Sequence, residues 1–176
     1  MKALLSSLIL MTLWAFPAQA ETLIQAAQNG DVKNVQALLA AGADPNVVPK
    51  NHWTSLMHAT FNGHAAVVKV LLKGGADVTQ RNDIQAPSLM IASFRGHFDI
   101  AKMLIDYKSD VNARKSDNGT ALIWAANQGH TKIVSLLLSA GANINLANDY
   151  DQTALIMARK NGYSDIEAML VEAGAR

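Results

Sequence analysis

A glycine recurs every 33 residues along this chain, at Gly30, Gly63, Gly96, Gly129 and Gly162. Alanines keep the same step at Ala26, Ala59, Ala92, Ala125 and Ala158, and leucines keep it at Leu38, Leu71, Leu104, Leu137 and Leu170. Three kinds of residue in one register define a repeat of a length typical of solenoids. Each unit there is too small to bury its own apolar face and must stack on its neighbours.

Within each unit two short helical patterns flank the glycine, as in Ser55 to Asn62 and Ala65 to Lys73, the second rich in Val and Leu at helical spacing. A further glycine follows the second pattern at Gly42, Gly75, Gly141 and Gly174, where a helix closes on a left-handed residue that only glycine adopts cheaply. The third unit lacks it. Tyr107-Lys108-Ser109 stands there instead, so Lys108 is expected at positive φ, at a cost of about 1 kcal/mol, and the junction is a candidate weak or bent point. Polar, turn-forming stretches such as Asp110 through Gly119 join the units, and Asp44, Asp77 and Asp110 recur where a short side chain bonds loop backbone. The expectation is an all-α solenoid of five helix-turn-helix units joined by extended, hairpin-like loops, with boundaries near 21–46, 47–79, 80–112, 113–145 and 146–176.

Thr120-Ala121-Leu122, Gly129-His130, Ile133-Val134, Leu136-Leu137-Leu138 and Gly141-Ala142-Asn143-Ile144-Asn145 resemble the ankyrin repeat, and the likeness extends over 21–176. Where that family usually has a histidine three positions after the turn threonine, this chain has Met57, Met90, Ile123 and Ile156, an exchange of a hydrogen-bonded imidazole for apolar packing. Polar residues on the end units suit them to face water. They are Gln25, Gln28, Asn29, Lys33, Asn34 and Gln36 in the first, and Arg159, Lys160, Asp165, Glu167 and Glu172 in the last. Five units are thus expected to make a complete domain.

Ahead of the repeats, Lys2 precedes a mostly apolar run from Ala3 to Phe16 that ends in Pro17-Ala18-Gln19-Ala20. This order of parts marks a secretory signal cleaved after Ala20. The run is shorter than the roughly 20 apolar residues that span a bilayer, so no membrane anchor is expected after cleavage. Lys2 is the one charged residue removed, which takes the formal net charge from +1 to zero and gives no basic field for nucleic acid or anionic lipid. With no cysteine, the exported chain gains nothing from disulfides and must rely on packing.

The resemblance implies binding of another protein through a concave side built from loop tips and the first helix of each pair. The loop positions are Lys50, Asn51 and Trp53, then Asp83 and Ile84, then Ser116 and Asp117, then Asp149, Tyr150 and Gln152; the helix-end positions are Phe61-Asn62, Phe94-Arg95, Asn127-Gln128 and Lys160-Asn161, with Trp124 one turn before Gln128. Exposed aromatic residues gathered on one face suggest the core of an interface.

His64, His97 and His130 recur with the repeat, and successive helices lie about 8–10 Å apart, too far for shared ligation of one zinc at about 2 Å. They read as helix-start residues. His52 and His58 are near enough in sequence to approach one another at the second unit's turn, but no carboxylate or third histidine is placed to complete a metal site. No cysteine nucleophile, G-x-S-x-G elbow or phosphate loop occurs, so neither catalysis nor a cofactor or metal is expected. The chain reads as a monomeric protein-binding adaptor or scaffold of the bacterial periplasm. Its likeness to small exported bacterial ankyrin proteins, some of them tied to catalase, implies a link to oxidative-stress defence. The alternatives are a periplasmic inhibitor or immunity protein that neutralises a toxic effector, and a secreted effector.

Overall fold

The computed structural model describes residues 22–176; the expected signal and its cleavage point at Ala20 lie outside them. Ten helices follow in five pairs: α1 (22–29) with α2 (Val32–Ala40), α3 (Ser55–Phe61) with α4 (Ala65–Lys73), α5 (Ser88–Arg95) with α6 (Phe98–Asp106), α7 (Ala121–Asn127) with α8 (Thr131–Ser139), and α9 (Ala154–Lys160) with α10 (Ser164–Glu172). The first helices of consecutive pairs pack side by side, α3 on α5 on α7 on α9, and the second helices form an outer layer, α2 on α4 on α6 on α8 on α10. The all-α solenoid expected from the period is the fold observed.

Local chemistry sets each boundary. Thr54, Thr120 and Thr153 start α3, α7 and α9, each hydroxyl accepting from the backbone N–H three residues on, at 3.3 Å. Pro87 takes the same place before α5, with extended φ and ψ and no side-chain cap. The recurrent alanines are all buried, from Ala26 at 3 % exposure to Ala59, Ala92, Ala125 and Ala158 at 0 %, so the inner helices meet over small side chains. Leu71, Leu104, Leu137 and Leu170 are fully buried, while Leu38 in the first unit is only partly covered.

Adjacent units are held by a ring laid over a glycine. The His64, His97 and His130 imidazoles begin α4, α6 and α8 without capping those helices. Each reaches back to the preceding unit, where Nε2–H donates to the carbonyl of Gln28, Phe61 and Phe94 at 3.0, 3.2 and 3.1 Å. A carbonyl only accepts, so the Nε2-protonated tautomer is required. The ring occupies the space that a glycine leaves open: a β-carbon on Gly30, Gly63 or Gly96 would lie 2.8, 2.8 or 2.6 Å from it. Tyr163 covers Gly129 in the same way, whereas nothing lies within 4 Å at Gly162, in the last unit.

The loops stack as well. Asp44, Asp77 and Asp110 each accept from a backbone N–H two residues on, as expected. Asn46 and Asn112 bridge to the next loop by donating to the carbonyls of Gly75 and Gly141 and accepting from the N–H groups of Asp77 and Asn143. Each tip carries a non-glycine residue at positive φ, namely His52, Gln85, Asn118 and Asp151, again 33 residues apart.

Lys108 adopts φ 67°, as the missing glycine implied. Its N–H still reaches the Ile105 carbonyl and that of Ser109 reaches Leu104, the pattern of the Gly75 junction, so helix closure is unchanged. Two local costs distinguish this junction. Ser109 fills the place of Ala43, Ala76 and Ala142, and its buried hydroxyl has no partner. Thr79 stands where Asn46 and Asn112 bridge, and it bonds only within its own loop, to Asp77.

Polar side chains cover the first unit as expected, but the last also exposes Ile156, Tyr163 and Val171. Met57, Met90 and Ile123 are buried as replacements for the histidine; Ile156 departs from that expectation at 44 % exposed because no following unit covers it.

The ring-over-glycine contact predicts unequal effects of one substitution. Gly162→Ala should cost about 1 kcal/mol for its backbone alone. Gly96→Ala adds displacement of the His130 ring and should cost about 1–3 kcal/mol more. Urea unfolding of the two variants checks this, and equal losses would contradict it.

Candidate partner-binding groove

The first helices and the loops that precede them line one face of the stack, and three depressions lie in a row along it. The first, about 390 Å³, is bordered by Gln28, Asn51, Trp53, His58, Phe61 and Asn62. The central one, about 160 Å³, lies among Trp53, Phe61, Ile84, Met90, Phe94 and Trp124, with Asn82, Ala86 and Ile91 completing the wall. The third, about 220 Å³, takes in Phe94, Lys115, Asp117, Trp124, Asn127 and Tyr150, backed by Ile123, Asn148, Gln152 and Met157. Trp53 and Phe61 are shared by the first two, Phe94 and Trp124 by the last two, so the depressions form one groove.

Two aromatic pairs build its middle. Trp53 and Phe61 meet edge to face at 5.7 Å, and Phe94 and Trp124 do so at 4.5 Å; such pairs hold by about 0.5–1.5 kcal/mol beyond area burial. All four rings are half-buried, held in place while part of each remains open. Ile84 and Tyr150 stand farther out, at 47 % and 72 % exposed.

Charged groups fix the rim. The Arg95 guanidinium lies 4.5 Å over the Phe61 ring and its Nε donates to the Phe61 carbonyl at 3.2 Å. The Lys115 ammonium lies 5.4 Å from the Trp124 ring and pairs with Asp117. Burial raises the Asp117 pKa, but the hydrogen bond from Lys115, the Gly119 N–H and the Lys115 charge outweigh it and hold the carboxyl below its ordinary value. At the loop edge Asn118 donates to Asp149 at 2.7 Å.

The structure brings Asn51, Trp53, Phe61, Asn62, Ile84, Phe94, Asp117, Trp124, Asn127 and Tyr150 into the groove wall. Lys50, Asp83, Arg95, Gln128 and Asp149 do not line the depressions. Sequence reasoning missed Gln28, Asn82, Lys115 and Asn148 as lining residues. Only their place in the 33-residue register could have pointed to Asn82, Lys115 and Asn148, which occupy one repeat position.

The expectation that no carboxylate stands near His52 and His58 is corrected. His52 Nδ1 lies 2.5 Å from Asp83 Oδ1 in the next loop, and His58 packs against Trp53 at 5.5 Å. A carboxylate therefore does stand beside His52, because the stacked loops bring this tip residue against the one 31 positions on; Asn118 and Asp149 repeat the pairing two units along. Among the described residues no three His, Asp or Glu side chains gather as a metal site.

A family model for ankyrin repeats, in three copies, matches residues 23–115 and 89–176. The chain belongs to the ankyrin-repeat family, whose members generally mediate protein–protein interaction. A search of curated proteins returned no match.

Burial lowers the His58 pKa below 6.5. The unfolded chain then binds a proton more readily, so this contribution to stability is complete above pH 6.5 and is lost as pH falls toward the folded value. Unfolding free energy should decline between pH 7.5 and 5, and His58→Gln should flatten the decline. An unchanged slope in that variant would remove His58 as its source.

Proposed function

We propose that this chain is a non-catalytic adaptor or scaffold of the bacterial periplasm that holds a resident protein against its concave groove. The observation that carries the reading is the row of half-buried aromatic rings, Trp53, Phe61, Phe94 and Trp124, set in an open groove. Rings already ordered by mutual contact lose little conformational freedom on binding, and aromatic side chains dominate interface energetics. Asn51, Asn62, Asn127 and Tyr150 supply polar groups around them, as the margin of a protein interface requires.

Export rests on the apolar run that ends at Ala20. The zero formal charge after cleavage favours a protein partner over nucleic acid or lipid. A partner in oxidative-stress defence is the narrower form of the proposal, and it rests on the likeness to small exported ankyrin proteins.

Affinity capture from periplasmic extract tests it, with the mature chain and the variant carrying Trp53→Ala, Phe61→Ala and Phe94→Ala together. The expected result is one major partner recovered by the parent and lost, by at least about 100-fold in affinity if each ring contributes on the order of 1–2 kcal/mol, by a variant of unchanged helical content. Equal recovery by both would place binding elsewhere.

A further inference from the structure

The groove's charge distribution narrows the partner's chemistry, on the reading that the groove is the binding surface. We infer that the segment it takes is acidic: an extended stretch that seats one Phe, Leu or Met side chain in the central depression and carries Asp or Glu beside it, directed at Arg95.

The central depression sets the anchor. Its volume is about 160 Å³, and an apolar cavity of about 150 Å³ accepts a benzene ring, so it holds one ring or one branched or thioether chain. The surface its wall presents is almost wholly apolar, and Asn82, the one amide in it, spends its side-chain oxygen on the N–H groups of Ile84 and Ala86. A polar side chain seated there would lose its water without replacement.

Arg95 sets the charge. The helices α3, α5, α7 and α9 that line the groove contain no Asp or Glu; their cations are Arg95, Arg159 and Lys160. Arg159 is paired with Glu167. Arg95 has no ion pair among the described residues, and its one hydrogen bond there, from Nε to the Phe61 carbonyl, leaves both terminal nitrogens unengaged. Stacking on Phe61 already holds the guanidinium in place, so a carboxylate meets a planar, pre-ordered pair of donors. The loop edge carries both signs, but its cations are engaged: Lys115 is paired with Asp117, Arg81 donates to the Gln85 and Arg114 carbonyls, and Arg114 to those of Asn118 and Ala147. Among the described residues Arg95, at the helix ends, is therefore the cation with free donors beside the central depression. Arg95 lies 4.5 Å over a ring that forms the pocket wall, and an extended chain advances about 3.3 Å per residue, which places the acid within about two residues of the anchor.

Selection of a random-peptide display library on the mature chain tests this, run in parallel on Arg95→Glu, Arg95→Gln and Phe94→Ala variants whose circular dichroism matches the parent. Expected from the parent is several-fold enrichment of Phe, Leu or Met with Asp or Glu alongside. Arg95→Gln should lose the acidic preference while keeping the anchor, Arg95→Glu should replace Asp and Glu by Lys and Arg, and Phe94→Ala should lose the anchor. Enrichment that depends on Phe94 but is indifferent to charge at position 95 overturns the inference and leaves the groove standing. Absence of any Phe94-dependent enrichment overturns both.

Discussion

The stack depends on an aromatic ring from one unit lying where the preceding unit has no side chain. In a solenoid each unit meets only its neighbours, so stability and shape follow from one interface repeated. Here that interface has a polar component and a steric one at the same place. The imidazole of His64, His97 or His130 donates to a carbonyl at the end of the preceding inner helix, a region where helices leave acceptors unmatched. The glycine beside it gives the left-handed turn between the helices and the space the ring fills. Tyr163 keeps the steric half of the device at Gly129.

That interface also positions the groove. Phe61 and Phe94, whose carbonyls receive His97 and His130, place their side chains in the groove wall. One residue thus serves the stack through its backbone and the groove through its ring. Phe61 pairs with Trp53 of its own unit and Phe94 with Trp124 of the next, and the apolar patch runs from the second unit to the fourth. Asn127 and Lys160, at the position held by Phe61 and Phe94 in earlier units, make the following stretch polar. Gln28 holds that position in the first unit, so the groove is apolar at its centre and polar toward both ends.

Much of this was legible in the sequence because the constraints are periodic. The 33-residue step predicted the helix pairs and the left-handed Lys108, and its recurrent alanines and most of its leucines are ones the structure buries. The family's loop and helix-end positions brought most of the expected site residues into the groove wall. What stayed hidden depends on contacts between units. The histidines read as helix starts, since nothing local shows that Nε2 reaches a carbonyl 36 positions earlier. His52, Gln85 and Asp151 gave no glycine to mark their positive φ, and the His52–Asp83 pair exists only once loops are stacked. Ile156 shares a repeat position with buried Met57, Met90 and Ile123 but differs in exposure, because position in the stack, and not residue type, decides what covers it.

The central claim, that the concave side takes a protein partner, is tested most directly by amide hydrogen exchange of the mature chain with and without the protein it captures. The account predicts slowed exchange in the loops at 47–54, 80–87 and 113–120 and at the ends of α3, α5 and α7, with α4, α6 and α8 unchanged. Slowing confined to α4, α6 and α8 would put the partner on the outer layer and contradict it.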